Sequence, residues 1–356
     1  MTEIQENQPI IPSFKKNPPF ILRFPEDISK ELLKWIPVQD LMRLDVAITS
    51  HQFRTEWKNL LKTEIGIHYS VTKTKAFQNH SIVQDIVQVQ EDLVALGSVN
   101  RKITLWNIAT DHVLQFENDA DIVHGFIRLF DGRIAFCSDM EIKIWNFQLG
   151  ICERAVNAHE GAVNSLVLLQ DGRFASASDD GTVKVWNPED LSCTLTLIGE
   201  PNRNFLCVIQ AIDGHLVVYQ WGVGLLVWNI ETQVCIRDIS FTETFIFCMK
   251  QLSSGSVATG TSSGTIFIWD PITWTIRQTL IYHKQWVYNI IQLKDDRILA
   301  VSGDHTVSLW SNTRDEPVQV LTGHSMAVMS AIEDSHGRII TGGEDNYAIV
   351  WSPHSV

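Results

Sequence analysis

His159, Ser178 and Asp180 bring an imidazole, a hydroxyl and a carboxylate into one short stretch of chain. These are the side-chain types of a nucleophilic triad, in which a base takes the hydroxyl proton and a carboxylate orients the base. The same constellation returns at His283, Ser302 and Asp304, and again at His324, Thr341 and Asp345. An active site is normally built once, so recurrence argues for a structural task. In that task imidazole, hydroxyl and carboxylate satisfy one another and an indole N–H, and a buried turn is held without stranded polar groups. The chain has no nucleophile elbow, phosphate loop or H-E-x-x-H helix, and no enzyme, cofactor or metal centre is expected.

What positions these groups is a repeat. Trp106, Trp145, Trp186, Trp228, Trp269, Trp310 and Trp351 follow one another at intervals of 39, 41, 42, 41, 41 and 41 residues. A second marker keeps step: Glu91, Asp131, Asp171, Asp213, Ser254, Asp295 and Ser335 each begin a short polar turn. Two markers on one period mean one structural unit repeated seven times. Between His159 and Trp186 the unit reads VNSLVLLQ, a turn at Asp171-Gly172, FASAS, a turn at Asp180-Gly181, then TVKVW, which is three short antiparallel strands. A fourth run, CTLTLI, follows at 193–198, with ICERAV, QVCIRDI, TIRQTLI and PVQVL as its equivalents. Units of about 40 residues with four strands each predict an all-β fold, a seven-bladed β-propeller over residues 66–356. Five residues follow Trp351, too few for a fourth strand in the last blade. Residues 70–77, SVTKTKAF, have no inner strands of their own and are expected to complete that blade and latch the ring.

The 356 residues are 45% hydrophobic and 19% charged, as in ordinary soluble globular proteins. A formal net charge of −13 repels phosphate backbones and anionic membrane surfaces, so neither nucleic acid nor membrane is expected as a partner. No apolar run has the length of a signal peptide or a membrane span, which predicts the cytoplasm or nucleus. The six cysteines form no C-x-x-C pair and read as reduced, buried thiols.

The units resemble the WD repeats, with their Gly-His, turn Asp and closing Trp-Asp, and the resemblance covers residues 66–356. It implies a hydrogen-bonded chain of His, Ser or Thr, Asp and Trp inside a blade. The matching positions are His159, Ser178, Asp180 and Trp186 in blade 3, then His283, Ser302, Asp304 and Trp310 in blade 6, and His324, Thr341, Asp345 and Trp351 in blade 7. Asn100, Gly222 and Ser263 stand for the turn Asp in blades 1, 4 and 5. The resemblance also implies protein partners gripped at the rim of a central channel. Aligning the blades by their tryptophans puts Ile82, Ile122, Ala162, Asn204, Phe245, Trp286 and Ala327 before the first strands on that face. Trp221 precedes the turn after a second strand, so Trp221, Phe245 and Trp286 fall in consecutive blades 4, 5 and 6. An aromatic cluster bordered by polar groups is the usual makeup of an interface hot spot. With Asn204 and Arg101 these three are the candidate partner-binding residues. Cations aligned to the face are few, mainly Arg101, Lys102, Arg203 and Lys284, so a phosphorylated partner is not expected.

Residues 24–62 have a different texture, with apolar spacings of three and four that predict helix. Pro25 suits a first helical turn carrying Ile28, Leu32, Leu33 and Ile36 on one face, and Pro37 ends it. Asp40 caps a second helix with Leu41, Leu44 and Ile48, and Ser50 a third with Phe53, Trp57, Leu60 and Leu61. A small three-helix module over 21–63 is therefore expected, behind a disordered tail over 1–20 that holds Pro9, Pro12, Pro18 and Pro19. Phe24-Pro25-Glu26, Leu32-Leu33, Ile36 and Asp40-Leu41 resemble the start of an F-box. That resemblance implies docking on a Skp-type adaptor of a cullin-based ubiquitin ligase through Phe24, Pro25, Ile28, Leu32, Leu33, Leu41 and Leu44, with the propeller holding a substrate protein. The alternative is a scaffold whose helices are purely structural.

Overall fold

The computed structural model describes residues 71–118, 122–241, 244–312 and 314–353. The helical module expected over 21–63 and the tail over 1–20 lie outside the described residues. Among the described residues, 28 strands form seven four-stranded antiparallel sheets, an all-β seven-bladed propeller. Blade 3 shows the unit: Val163–Leu168, Phe174–Ser178, Thr182–Trp186 and Cys193–Ile198 lie side by side in chain order. The first strand of each blade packs against the first strands of its two neighbours, blade 7 against blade 1 included, so these strands close a ring around the axis.

Burial follows from that wedge arrangement. A second strand is paired on both edges and has a neighbouring blade on each face, so every side chain along it must be apolar or small. FASAS, ILAVS and IITGG obey this, and each is buried at every position. Where blades approach most closely even a methyl group is too much: a Cβ on Gly260 would stand 2.6 Å from Val287 Cγ1 of the next blade. The outer strands are the opposite case, and Ile151–Asn157 is exposed along most of its length. Cys152 and Cys193 lie on such outer strands and are exposed, which corrects the reading of all six thiols as buried. The inner hairpin turns are fastened by a repeated pair. Asp171 accepts the Arg173 N–H at 3.0 Å and Arg173 Nε–H at 2.8 Å, and Asp131 with Arg133 and Asp295 with Arg297 do the same.

The ring is latched by a strand from upstream. Val71–Gln78 runs antiparallel to Tyr347–Pro353, from Val71 opposite Pro353 to Gln78 opposite Tyr347, with a bulge between Lys73 and Lys75. It is the fourth strand of blade 7. Its start is clasped by blade 6, because the Val71 N–H donates to Gln319 Oε1 at 3.0 Å and Gln319 Nε2 donates to the Val71 carbonyl at 2.7 Å. Its end reaches blade 1, where Phe77 stacks on Trp106 with ring centroids 5.1 Å apart and Lys75 Nζ pairs with Asp111 at 2.6 Å. One strand thus ties three blades together.

Candidate functional site

Two rows of residues meet on one face of the ring because the backbone joins them blade by blade. The Trp221 N–H donates to the Asn204 carbonyl, Ser262 to Phe245 and Gly303 to Trp286, at 2.8–2.9 Å. In each case the residue after a second strand is bonded to the residue before a first strand. Large aromatics at these positions have no blade face to enter, and they stay out. Trp221, Phe245 and Trp286 are 46%, 41% and 44% exposed. Trp221 and Phe245 meet edge to face with centroids 5.0 Å apart. Trp286 stacks on Phe247 at 4.4 Å and lies 6.0 Å from Tyr288.

Phe247 and Tyr288 were not among the sequence candidates. They lie on first strands, at the second position of the runs Ile246–Gln251 and Val287–Gln292, one blade apart. The shared register of two aromatics in consecutive repeats was the available signal. Two recesses open beside the indoles, one of about 260 Å³ lined by Ser262, Lys284, Gln285, Trp286 and Tyr288, the other of about 220 Å³ lined by Asn202, Arg203, Asn204 and Trp221. Each pairs a tryptophan with one cation. Asn204 therefore lies with the aromatic group. Arg101 does not, since it sits beyond the second strand of blade 1, away from blades 4 to 6 around the ring.

The repeated His, hydroxyl and carboxylate sets are buried inside their blades. In blade 3, His159 Nδ1 meets Asp180 Oδ2 at 2.8 Å and His159 Nε2 meets a hydroxyl at 2.6 Å, but that hydroxyl belongs to Ser176. Trp186 Nε1 donates to the same Ser176 Oγ at 2.8 Å. The assignment of Ser178 to this chain is thus corrected. Trp186 pairs with Phe174 in the ladder, which puts Ser176 near the indole and leaves Ser178 at the far end of the strand. There Ser178 Oγ donates to the Gly161 carbonyl and accepts the Asp180 N–H, both at 3.1 Å.

Blade 6 needs the same correction for Ser302. Its residue equivalent to Ser176 is Ala300, and the hydroxyl comes from Ser308, directly across the ladder from Ala300. Ser308 Oγ lies 2.7 Å from His283 Nε2 and accepts Trp310 Nε1–H at 2.7 Å, while His283 Nδ1 meets Asp304 at 3.0 Å. In blade 7, Thr341 Oγ1 lies 2.8 Å from His324 Nε2 and 2.9 Å from Trp351 Nε1, and His324 Nδ1 is 3.0 Å from Asp345. An indole N–H can only donate, so the hydroxyl accepts from it, and a neutral imidazole that gives its Nδ1–H to the carboxylate leaves Nε2 to accept from the hydroxyl.

Electrostatics agree with that state. Burial pushes the His159 and His324 pKa values below the ordinary 6.5, against the opposing pull of Asp180 and Asp345. For Asp180 burial acts upward, but hydrogen bonds from the Thr182 hydroxyl and the Glu160 N–H, with the nearby His159, outweigh it and hold the carboxyl below its ordinary value. Ser176, Ser308 and Thr341 are fully buried, so none of these hydroxyls can reach a substrate. Blades 2 and 4 lack the set, and Trp145 Nε1 and Trp228 Nε1 are buried with no hydrogen-bond partner among the described residues.

A family model described as WD domain, G-beta repeat matches residues 150–187, 274–311 and 315–352. Among curated relatives, the p21-activated protein kinase-interacting protein 1-like of Danio rerio is 24% identical over 209 residues, 57% of this chain and 55% of that protein. WD repeat-containing protein 55 of Arabidopsis thaliana is 25% identical over 186 residues, 50% of this chain and 53% of that protein. Apoptotic protease-activating factor 1 of Homo sapiens is 25% identical over 189 residues, 50% of this chain and 14% of that protein. The chain thus spans little more than half, or much less, of the relatives it matches. In three dimensions it resembles the WD40 beta propeller domain of Doa1, with a TM-score of 0.72 at 21% identity over 80% of this chain and 98% of that one. The matched segments are WD repeats, and this neighbour shares the propeller fold.

Proposed function

We propose that this WD-repeat propeller is a non-enzymatic interaction scaffold that grips a protein partner with the aromatic face of blades 4 to 6. The observation that carries the reading is the joint exposure of Trp221, Phe245 and Trp286 on one face. Exposing three large rings to water costs a folded protein free energy that a docked partner restores, and such rings with a polar surround dominate binding energy at interfaces. The flanking Asn204, Arg203 and Lys284 supply the polar rim.

The finer assignment is a substrate receptor of a Skp, cullin and F-box type ubiquitin ligase working in the cytoplasm or nucleus. Its support is the pattern at Phe24, Pro25, Ile28, Leu32, Leu33, Leu41 and Leu44, which would contact the adaptor. Affinity capture with the full chain tests both levels. The Leu32→Asp/Leu33→Asp double variant should lose a Skp-type adaptor and keep the cargo, and Trp286→Ala should do the reverse. Recovery of no adaptor by the wild-type chain, alongside a control F-box protein that does recover one, would remove the ligase assignment and leave the scaffold.

A further inference from the structure

The aromatic face of blades 4 to 6 differs from the rest of its rim in charge as well as in rings, and the ladder register lets the blades be compared position by position. Val163, Phe205 and Val287 are equivalent, each paired with the last residue of a second strand, Ser178, Gln220 and Ser302. Around that point blade 3 carries three carboxylates, Glu160, Asp179 and Asp180. Blade 4 carries Asn202, Trp221 and Gly222 in their places, and blade 6 carries Lys284, Gly303 and Asp304. Asp304 is occupied inside its blade by His283, the Lys284 N–H and Thr306. In a chain of formal net charge −13, this sector has exchanged exposed carboxylates for an indole and an ammonium.

Blade 4 lacks the relay, and its loop is held by another device. The buried Gln220 side chain donates from Nε2 to the Glu200 and Arg203 carbonyls at 3.0 and 3.1 Å and accepts the Glu200 N–H at 3.0 Å. Gly222 has a φ of +71°, and a Cβ there would run into Arg203 Nη1. The guanidinium therefore lies across the turn, with Nη1 3.5 Å from the Trp221 carbonyl. It lines the recess of about 220 Å³ beside Trp221, as Lys284 lines the recess of about 260 Å³ beside Trp286. Neither recess has a carboxylate in its lining, and among the described residues no acidic side chain pairs with either cation.

A cation beside an indole suits an anion on an apolar arm, because the ring takes the arm and the cation the head. Each recess offers one cation, which fits a carboxylate better than a phosphate, whose several oxygens call for several donors. Phe245, edge to face with Trp221, belongs to the blade between Arg203 and Lys284. We propose that the docked segment of the partner is acidic and unphosphorylated. It is an extended stretch that seats one carboxylate on Arg203 and a second on Lys284, with an apolar residue between them on Phe245. This assignment rests on the aromatic face being the docking surface, as proposed above.

The test uses the full chain and synthetic peptides Ac-Glu-Leu-(Ser)n-Leu-Glu-NH2, with n from zero to four. Control series carry Gln, Lys or phosphoserine in place of both Glu residues, and binding is followed by the indole N–H shifts of Trp221 and Trp286. At least one Glu peptide should bind saturably and move both indoles, and its Gln and Lys counterparts should bind at least tenfold more weakly. Arg203→Gln and Lys284→Gln alter exposed side chains and should keep the wild-type Tm. Each should weaken that peptide about tenfold, the loss of one charge-assisted bond. No saturable binding by any Glu peptide, equal binding by the Gln series, or tighter binding by the phosphoserine series overturns the acidic segment. In affinity capture, Arg203→Glu/Lys284→Glu should lose the partner that wild type holds. Capture that survives this reversal but not Trp286→Ala overturns the acidic segment and keeps the aromatic face. Capture that survives both removes the docking face and the acidic segment with it.

Discussion

At the residue scale, the buried relays show how finely a polar group must be placed to be harmless. Ser308 plays in blade 6 the part that Ser176 plays in blade 3, reaching the equivalent imidazole of His283 from the adjacent strand. Ser308→Ala should strand both His283 Nε2 and Trp310 Nε1 and cost about 2 kcal/mol or more, read as a fall in Tm. Adding Ala300→Ser should return most of that loss, because Ala300 faces Ser308 across the ladder. A double variant no more stable than Ser308→Ala would show that the relay is not what the hydroxyl supports. The imidazoles predict a pH dependence. His159 and His324 have folded pKa values depressed by burial, so between those values and about 6.5 the unfolded chain binds the protons and the folded chain does not. Their contribution to stability is present in full above pH 6.5 and is lost as pH falls through the depressed values. Tm should therefore decline between pH 7 and pH 5.5, and a flat profile would contradict the neutral relay. The residue types of these sets were legible in the sequence, but the hydroxyl partner was not. Ser176 and Ser178 are equally good candidates by type, and only the pairing of Trp186 with Phe174 distinguishes them.

At the element scale the decisive piece is the closing strand. A propeller without it would leave Tyr347–Pro353 as an open edge, and blades 6 and 1 would lose their clasps on blade 7. Deleting residues 71–78 should abolish cooperative thermal unfolding and give aggregation, whereas removing a comparable length from an exposed outer-strand turn should shift Tm only modestly. A truncated chain that melts cooperatively near the wild-type temperature would refute the latch. This strand could be inferred from the repeat, because residues 70–77 stand before the first unit with no inner strands of their own. Its contacts to Gln319 and Trp106 could not be read there, since they depend on how three blades crowd together.

At the scale of the whole molecule, the face is uneven around the ring. Blades 4 to 6 present Trp221, Phe245, Phe247, Trp286 and Tyr288, while the corresponding end of blade 3 offers Asn164 bonded to Asp179. Since Trp221 and Trp286 are only partly packed, Trp221→Ala and Trp286→Ala should leave Tm within about 1 kcal/mol of stability. Each should weaken a docked partner by about 2 kcal/mol, roughly 30-fold in Kd. A large drop in Tm with unchanged capture would mean that these rings serve the fold instead.

Sequence alone determined the number of blades, the strand order within each and the need for a borrowed strand. These depend on periodicity, and a repeated pattern of apolar, turn and tryptophan residues admits one way of burying its faces. Tertiary structure alone decided which hydroxyl completes each relay and which aromatics gather on one face. Those facts depend on residues about one blade apart in sequence or on opposite strands coming within bonding distance, and spacing along a single chain does not encode the angle at which neighbouring blades meet.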